Sequence, residues 1–344
     1  MAFAQILGQD NAIAVLQHAL RADRVPHAYI FAGYDGVGKK LTALTLAKAL
    51  NCLHAVDDSC DQCLSCQKIE SGNHPDVRII EPDGQFIKID QIRQVQKDAT
   101  YKPFEGRRKV YIIDQAEALR PEAANALLKT LEEPSEDCLL ILVTGNVYAL
   151  LPTVISRCQF VRFVALGVET LTQFLVQTRH YAPEQARLLA SLAEGCPGRA
   201  LAMDAEATLA KRENIEHLLQ TLSSGLQDVR VIFRQVETLM QEKSAVQELL
   251  DILLVWYRDM YLLRNQGDPS FVANADAVER LQQAAAQVSA RQIERLFETV
   301  YRTKLDILRN ANLQLALEVM FIALTEVYND RNRWREIPNH RQSV

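Results

Sequence analysis

The chain changes rhythm once. Up to about residue 163, short apolar runs alternate with stretches of helical period, and beyond it only the helical period remains. His27–Gly33 (HAYIFAG), Asp76–Ile80, Lys109–Asp114 (KVYIID) and Cys138–Thr144 (CLLILVT) read as short buried strands. Between them Asn11–Ala22, Lys40–Leu50 and Asp90–Tyr101 carry helical spacing. Pro121–Pro134 (PEAANALLKTLEEP) is the clearest helix. Ala124, Leu127, Leu128 and Leu131 recur at i, i+3, i+4 and i+7, Pro121 suits a first turn, and Pro134 marks the stop. Such alternation predicts a parallel sheet with crossover helices.

From Val168 to about Ala207 the pattern predicts three short helices, broken at Ala182-Pro183 and at Gly195-Cys196-Pro197-Gly198. From about Thr208 it is helical throughout, including Ser244–Arg264 and Leu313–Tyr328. The expected organisation is α/β followed by all-α: an α/β domain over 1–165, a small helical domain over 166–207, a larger helical domain over 208–335 and a polar tail over 336–344. The whole stretch Arg331–Val344 is polar and expected to fray.

Composition sharpens this only a little. The 344 residues are 48% hydrophobic and 24% charged, as in soluble globular proteins, and this length can bury cores without disulfide staples. No apolar stretch approaches the ~18 residues that cross a bilayer, and Met1–Gln5 lacks the basic and apolar regions of a signal peptide. A cytoplasmic protein without membrane contact is the expectation. The net charge of −5 argues against a chain whose main task is gripping nucleic acid through a basic surface.

The candidate chemistry starts at Gly33-Tyr34-Asp35-Gly36-Val37-Gly38-Lys39-Lys40, a glycine-rich loop that follows a strand and opens a helix. Glycines let backbone N–H groups curl around phosphate oxygens, the helix N-terminus adds positive potential, and Lys39 would reach the outer phosphates. The pattern then calls for Ser or Thr to ligate Mg²⁺, and this chain has Lys40. Thr42 lies about 200° further around the helix and cannot simply take over. Val110–Asp114 is an apolar strand ending in a carboxylate, the counterpart that holds the metal. The Glu that should follow to polarise water is Gln115, a poor base, with Glu117 two residues beyond. Vigorous hydrolysis is not expected; binding of ATP or ADP is left open.

Of seven cysteines, Cys52, Cys60, Cys63 and Cys66 form C-x7-C-x2-C-x2-C just after the loop's helix. Four thiolates at short spacings suit a closed tetrahedral Zn²⁺ site, structural rather than catalytic. Disulfides are disfavoured in a reducing compartment. Cys138, Cys158 and Cys196 are scattered and expected to be packing residues.

These motifs together resemble the bacterial DNA polymerase III clamp-loader subunits, and among them are most similar to the delta-prime type. The matching residues are Leu7-Gly8-Gln9, Pro26-His27-Ala28-Tyr29, the modified loop, the four cysteines, Ala124–Pro134 and Ser156-Arg157-Cys158, with a loose Asn310–Leu313 segment in the second half. The resemblance implies an AAA+ P-loop domain with a zinc-binding insertion, a helical lid and a C-terminal helical collar. It implies that Arg157 is an arginine finger acting in trans on a neighbouring subunit's nucleotide. It also implies sensor-like places for Thr144 and Arg199. The partners it implies are gamma/tau and delta subunits in a hetero-oligomer, with the sliding clamp and primed DNA met through the assembly. The expected role is a nearly non-hydrolysing loader subunit in chromosomal replication. The alternatives are an active gamma/tau-like ATPase motor of the same loader and a zinc-dependent nucleic-acid-binding protein. The charged loop Lys102–Lys109 (KPFEGRRK) is expected to be solvated surface.

Overall fold

The computed structural model describes residues 2–223 and 243–330, which divide into two compact units. The expected polar tail lies outside the described residues, as does 224–242 of the expected all-helical run.

The first unit comprises residues 1–166 together with Cys196–Arg199. Its five strands are β1 (Ala28–Ala32), β2 (Val77–Ile80), β3 (Lys109–Ile113), β4 (Cys138–Thr144) and β5 (Gln159–Arg162). They lie in the order β2-β3-β4-β1-β5 and every pairing is parallel. The helices of this unit are α1 (Asp10–Arg21), α2 (Lys39–Asn51), α3 (Leu64–Glu70), α4 (Ile89–Ala99), α5 (Pro121–Glu132) and α6 (Pro152–Ile155). Alternate strand residues feed two cores. Tyr29, Phe31, Val110, Ile112, Ile141 and Val143 pack with Leu16 of α1 and Leu46 of α2 on one face. Ala28, Ile30, Tyr111, Ile113, Leu140 and Leu142 pack with Ile92 of α4 and Leu127 of α5 on the other. Both faces are therefore dry, which is why the central strands read as continuous apolar runs. On α5 the buried face is Ala123, Ala124, Leu127 and Leu131; Leu128, expected to share it, is only half-buried.

Strand β5 and helix α3 had no counterpart in the sequence pattern. Only Val161 of the four β5 residues is buried, so this sheet-edge strand lacks an apolar run. Cys63 precedes helix α3 as its N-cap, its sulfur accepting the backbone N–H of Cys66, a role the usual capping residues do not predict.

The second unit contains Gly167–Gly195 and the described residues from Ala200 on. It includes α7 (Val168–Arg179), α8 (Pro183–Leu192), the second half of α9 (Pro197–Ala202), α10 (Ala205–Ser223), α11 (Lys243–Arg264), α12 (Val278–Ala286), α13 (Ala290–Leu308) and α14 (Leu313–Asn329). One apolar core joins Leu188 and Leu192 of α8 to α10, α11, α13 and α14. Two buried charged groups of this unit are held by specific partners. Arg212 grips Asp276 bidentately at 2.7 and 2.5 Å, and fully buried Asp259 accepts backbone N–H groups of Ala273 and Asn274. Helix α14 buries Leu317, Phe321 and Leu324 but exposes Leu315, Val319 and Ile322. No described helix is long and apolar enough to cross a membrane.

The loop Lys102–Lys109 exposes Phe104, yet its backbone is anchored. The buried Asp76 carboxylate accepts the N–H groups of Phe104, Glu105 and Gly106 at 2.7–2.9 Å, and Asn51 Oδ1 accepts those of Arg107 and Arg108. Burial alone would raise the Asp76 pKa, but the three N–H donors prevail and hold it below the ordinary 3.8. A depressed carboxylate stabilises the fold fully above its unfolded pKa and loses that contribution as pH falls through the folded value. Asp76→Asn is therefore expected to cost roughly 2–4 kcal/mol at neutral pH. The gap to wild type should narrow on acidification below about pH 4, read by urea melts across pH.

Candidate functional site

The parallel sheet ends all its strands along one edge, and the candidate site is built there. Gly33 leaves β1, Glu81 leaves β2, Asp114 leaves β3 and Thr144 closes β4. Gly33 N donates to Thr144 O at 3.3 Å, tying the start of the loop to the end of β4. The loop turns through Gly36 (φ 84°) and Gly38 (φ 101°), left-handed conformations that any side chain would strain, and Gly38 caps α2. Lys39 is only 5% exposed. Its ammonium donates to Gly33 O, to Tyr34 O at 2.9 Å and to Asp35 Oδ1 at 3.1 Å, so the lysine folds back over its own loop.

Lys40 has a different set of partners. Its Nζ lies 3.0 Å from Asp114 Oδ2 and 2.5 Å from Glu81 Oε1. Burial works to lower its pKa, but hydrogen bonds and charge from Glu81 and Asp114 outweigh this and raise it. At the position where the sequence pattern calls for a hydroxyl there stands a cation paired with Asp114 and Glu81. Thr42 does not replace that hydroxyl, because it is fully buried and donates to Gly38 O at 2.9 Å.

Gln115 adopts a left-handed conformation (φ 52°, ψ 52°), held as its N–H donates to Asp114 Oδ1 and its carbonyl accepts from Ala118 N. Its side chain is exposed. Glu117, not Gln115, sends a carboxylate toward the end of β4, where Oε1 accepts Gly145 N at 3.1 Å.

Arg199 also comes to this edge. Gly198 N donates to Gly36 O at 2.8 Å, and the two glycines approach so closely that a Cβ on Gly198 would meet Gly36 Cα and O at 3.0 Å. A Cβ on Gly36 would lie 2.8 Å from Arg199 N. Glu81 and Gly198 are the participants that the sequence did not single out. Each depends on a neighbour distant in the chain, and neither sits in a recognisable spacing.

Arg157 stands apart, just after α6. Its Nη2 pairs with Glu132 Oε1 at 2.9 Å, its Nη1 donates to Thr153 O at 3.0 Å, and 37% of its side chain is exposed.

The four clustered cysteines converge. Their sulfur atoms all lie within 4.8 Å of one another, at the far end of α2 from the glycine loop, and form no disulfide. Tetrahedral Zn–S bonds of ~2.3 Å place sulfurs about 3.8 Å apart, so the donor set and its size fit a thiophilic ion. Backbone N–H groups of Ala55, Cys63 and Cys66 point at the sulfurs of Cys52, Cys60 and Cys63, which favours thiolate. Burial would raise the Cys63 pKa, but the N–H groups of Leu53 and Cys66 bring it down to about 6; burial and the neighbouring thiols push Cys66 up. Lys48 of α2 is buried and pairs with Asp61 at 3.0 Å and with Glu70, pinning the cysteine loop and α3 to the loop's helix. Cys138 and Cys196 are buried in the cores, and burial pushes Cys158 up to about 12, as expected of packing residues.

Gly36 and Gly72 both have positive φ, but only Gly36 faces a neighbour within 4 Å. Gly72→Ala is expected to cost about 1–2 kcal/mol from conformation alone. Gly36→Ala adds the collision with Arg199 and is expected to cost roughly 2–5 kcal/mol, measured by chemical denaturation of the two variants.

Comparison with known proteins agrees with this geometry. A family model described as DNA polymerase III, delta subunit, matches residues 8–167, and a model for the C-terminal part of that subunit matches 206–326. DNA polymerase III subunit delta' of Bacillus subtilis is 31% identical over 319 residues, covering 92% of this chain and 96% of that protein. The tau subunit of the same organism is 29% identical over 347 residues, but this chain spans only 61% of its length. Among solved structures, a gamma-subunit-related protein from Thermotoga maritima is 17% identical with a TM-score of 0.44, covering 92% of this chain and 99% of that one. By the two family models and the 31% identity over 92% of its length, the chain belongs to the bacterial DNA polymerase III clamp-loader family, as a subunit of the delta-prime type.

Proposed function

We propose that this subunit hydrolyses little or no ATP itself and lends Arg157 to the nucleotide site of a neighbouring subunit, helping to load the sliding clamp on primed DNA. The observation that carries the first half is the Lys40 ammonium on Asp114 and Glu81. Mg²⁺ in such a site needs the carboxylate and a hydroxyl, and it bridges phosphate oxygens while doing so. A tethered ammonium neutralises the same carboxylate but cannot bridge, and it repels a divalent ion. Gln115 supports the same reading, since an amide holds water without taking its proton.

The second half is supported by Arg157 lying part-exposed at the end of a short surface helix, where a neighbour's phosphates could reach it. In this reading Thr144 and Arg199, which lie beside the loop, act as sensors that report loop conformation rather than catalyse. We assign one structural zinc to Cys52, Cys60, Cys63 and Cys66. Residues 166–207 serve as the lid and 208–335 as the collar, whose exposed Leu315, Val319 and Ile322 suit contact with gamma/tau and delta partners. The protein acts in the cytoplasm.

Isolated chain should show no Mg²⁺-dependent ATPase above background, and a fast rate would overturn the idle-site reading. In loader reconstituted with gamma/tau and delta, Arg157→Ala should lower the ATPase rate about tenfold or more while the chain's melting temperature stays put. An unchanged rate would remove the trans role. Metal analysis of protein purified without chelator should give about one zinc per chain, with Cys63→Ser lowering it. Metal-free wild-type protein would sink the zinc assignment.

A further inference from the structure

The partner that holds Arg157 deepens the reading just given. Helix α5 ends at Glu132, with Glu133 as its C-cap and Pro134 beyond. Two carboxylates at a helix C-terminus oppose the macrodipole, so helix stability does not account for them. Glu132 is 51% exposed, so packing does not hold it either, and its Oε1 lies 2.9 Å from Arg157 Nη2. The same guanidinium donates through Nη1 to Thr153 O at 3.0 Å and to Ser156 Oγ at 3.4 Å.

The two holders belong to fixed elements. Leu127 and Leu131 root α5 in the sheet's core, and Val154 roots α6 in the same cluster. The guanidinium is therefore gripped along its Nη edge by a carboxylate from one anchored helix and a carbonyl from another. A guanidinium carries five N–H donors in a rigid fork, and among the described residues Nε makes no hydrogen bond. The remaining donors can still meet phosphate oxygens. An arginine on a long flexible stem serves a transition state only if its head is already in place.

We infer that Glu132 is a positioning residue for the trans finger, fixing the Arg157 head before a neighbour's nucleotide meets it. The inference rests on the finger role of Arg157. It requires Glu132 to act through Arg157 alone and on the chemical step rather than on nucleotide affinity. An ordinary surface ion pair would do neither, and exposed pairs add little to stability, so removing this one leaves a folded chain.

The test is steady-state ATPase of the reconstituted loader with wild type, Glu132→Ala, Glu132→Gln, Arg157→Ala and the double variant. Glu132→Ala should lower kcat roughly three- to tenfold with KM nearly unchanged. Glu132→Gln keeps an oxygen acceptor and should retain at least about half of kcat. The double variant should match Arg157→Ala alone, because the carboxylate has no one left to position. Full activity of Glu132→Ala beside an impaired Arg157→Ala overturns the positioning role and leaves the finger standing. Equal losses from Glu132→Ala in both backgrounds overturn it as well, by showing an independent effect. An unimpaired Arg157→Ala removes the finger and this inference together.

Discussion

Everything in the α/β unit hangs on parallel pairing along the line β2-β3-β4-β1-β5, with both faces buried. Parallel strands must all run the same way, so their carboxyl ends meet at one edge. That edge gathers Gly33, Glu81, Asp114 and Thr144 from four different strands. Burial of both faces fixes the register, since a one-residue slip would exchange the two sets of core side chains. The precision of the site is inherited from the cores beneath it. A Lys40 ammonium can sit 3.0 Å from Asp114 because β3 and α2 have nowhere else to go.

Within this frame α2 has work at both ends. Its N-terminus opens from the glycine loop and carries Lys39 and Lys40. Its C-terminus delivers Cys52 to the sulfur cluster, while Lys48 ties it to Asp61 and Glu70. The cysteine module thus braces the helix on which the altered site is built, without touching the site itself. On the proposed reading the chain keeps the framework of a nucleotide site, fills its metal seat with its own cation, and keeps its contribution to phosphate chemistry on another surface, at Arg157.

Much of the candidate site was legible because its parts are local in sequence. The glycine spacing, the strand ending in Asp114, Lys40 after the loop lysine and the four cysteines each lie within one short segment; the four sulfurs converge, and Lys40 meets Asp114. The anchored backbone of Lys102–Lys109 was not legible. Its anchors, Asp76 and Asn51, lie 28 and more residues away, and nothing in a charged run announces buried acceptors for its N–H groups. Strand β5 escaped because an edge strand with one buried residue has no apolar pattern to show.

The sequence by itself determined the alternation of strands and helices, the switch to a helical second half, the cluster of four cysteines, and Lys40 and Gln115 at two positions of the glycine-loop pattern. These follow from side-chain period and chemical type, which are properties of consecutive residues. Only the tertiary structure decided that Glu81 joins Asp114 on Lys40, that Gly198 packs against Gly36, and that Glu132 holds Arg157. Strand order and helix docking choose those neighbours. They are set by how the helices dock on the two buried faces of the sheet, a property of the whole unit that no short window of residues contains.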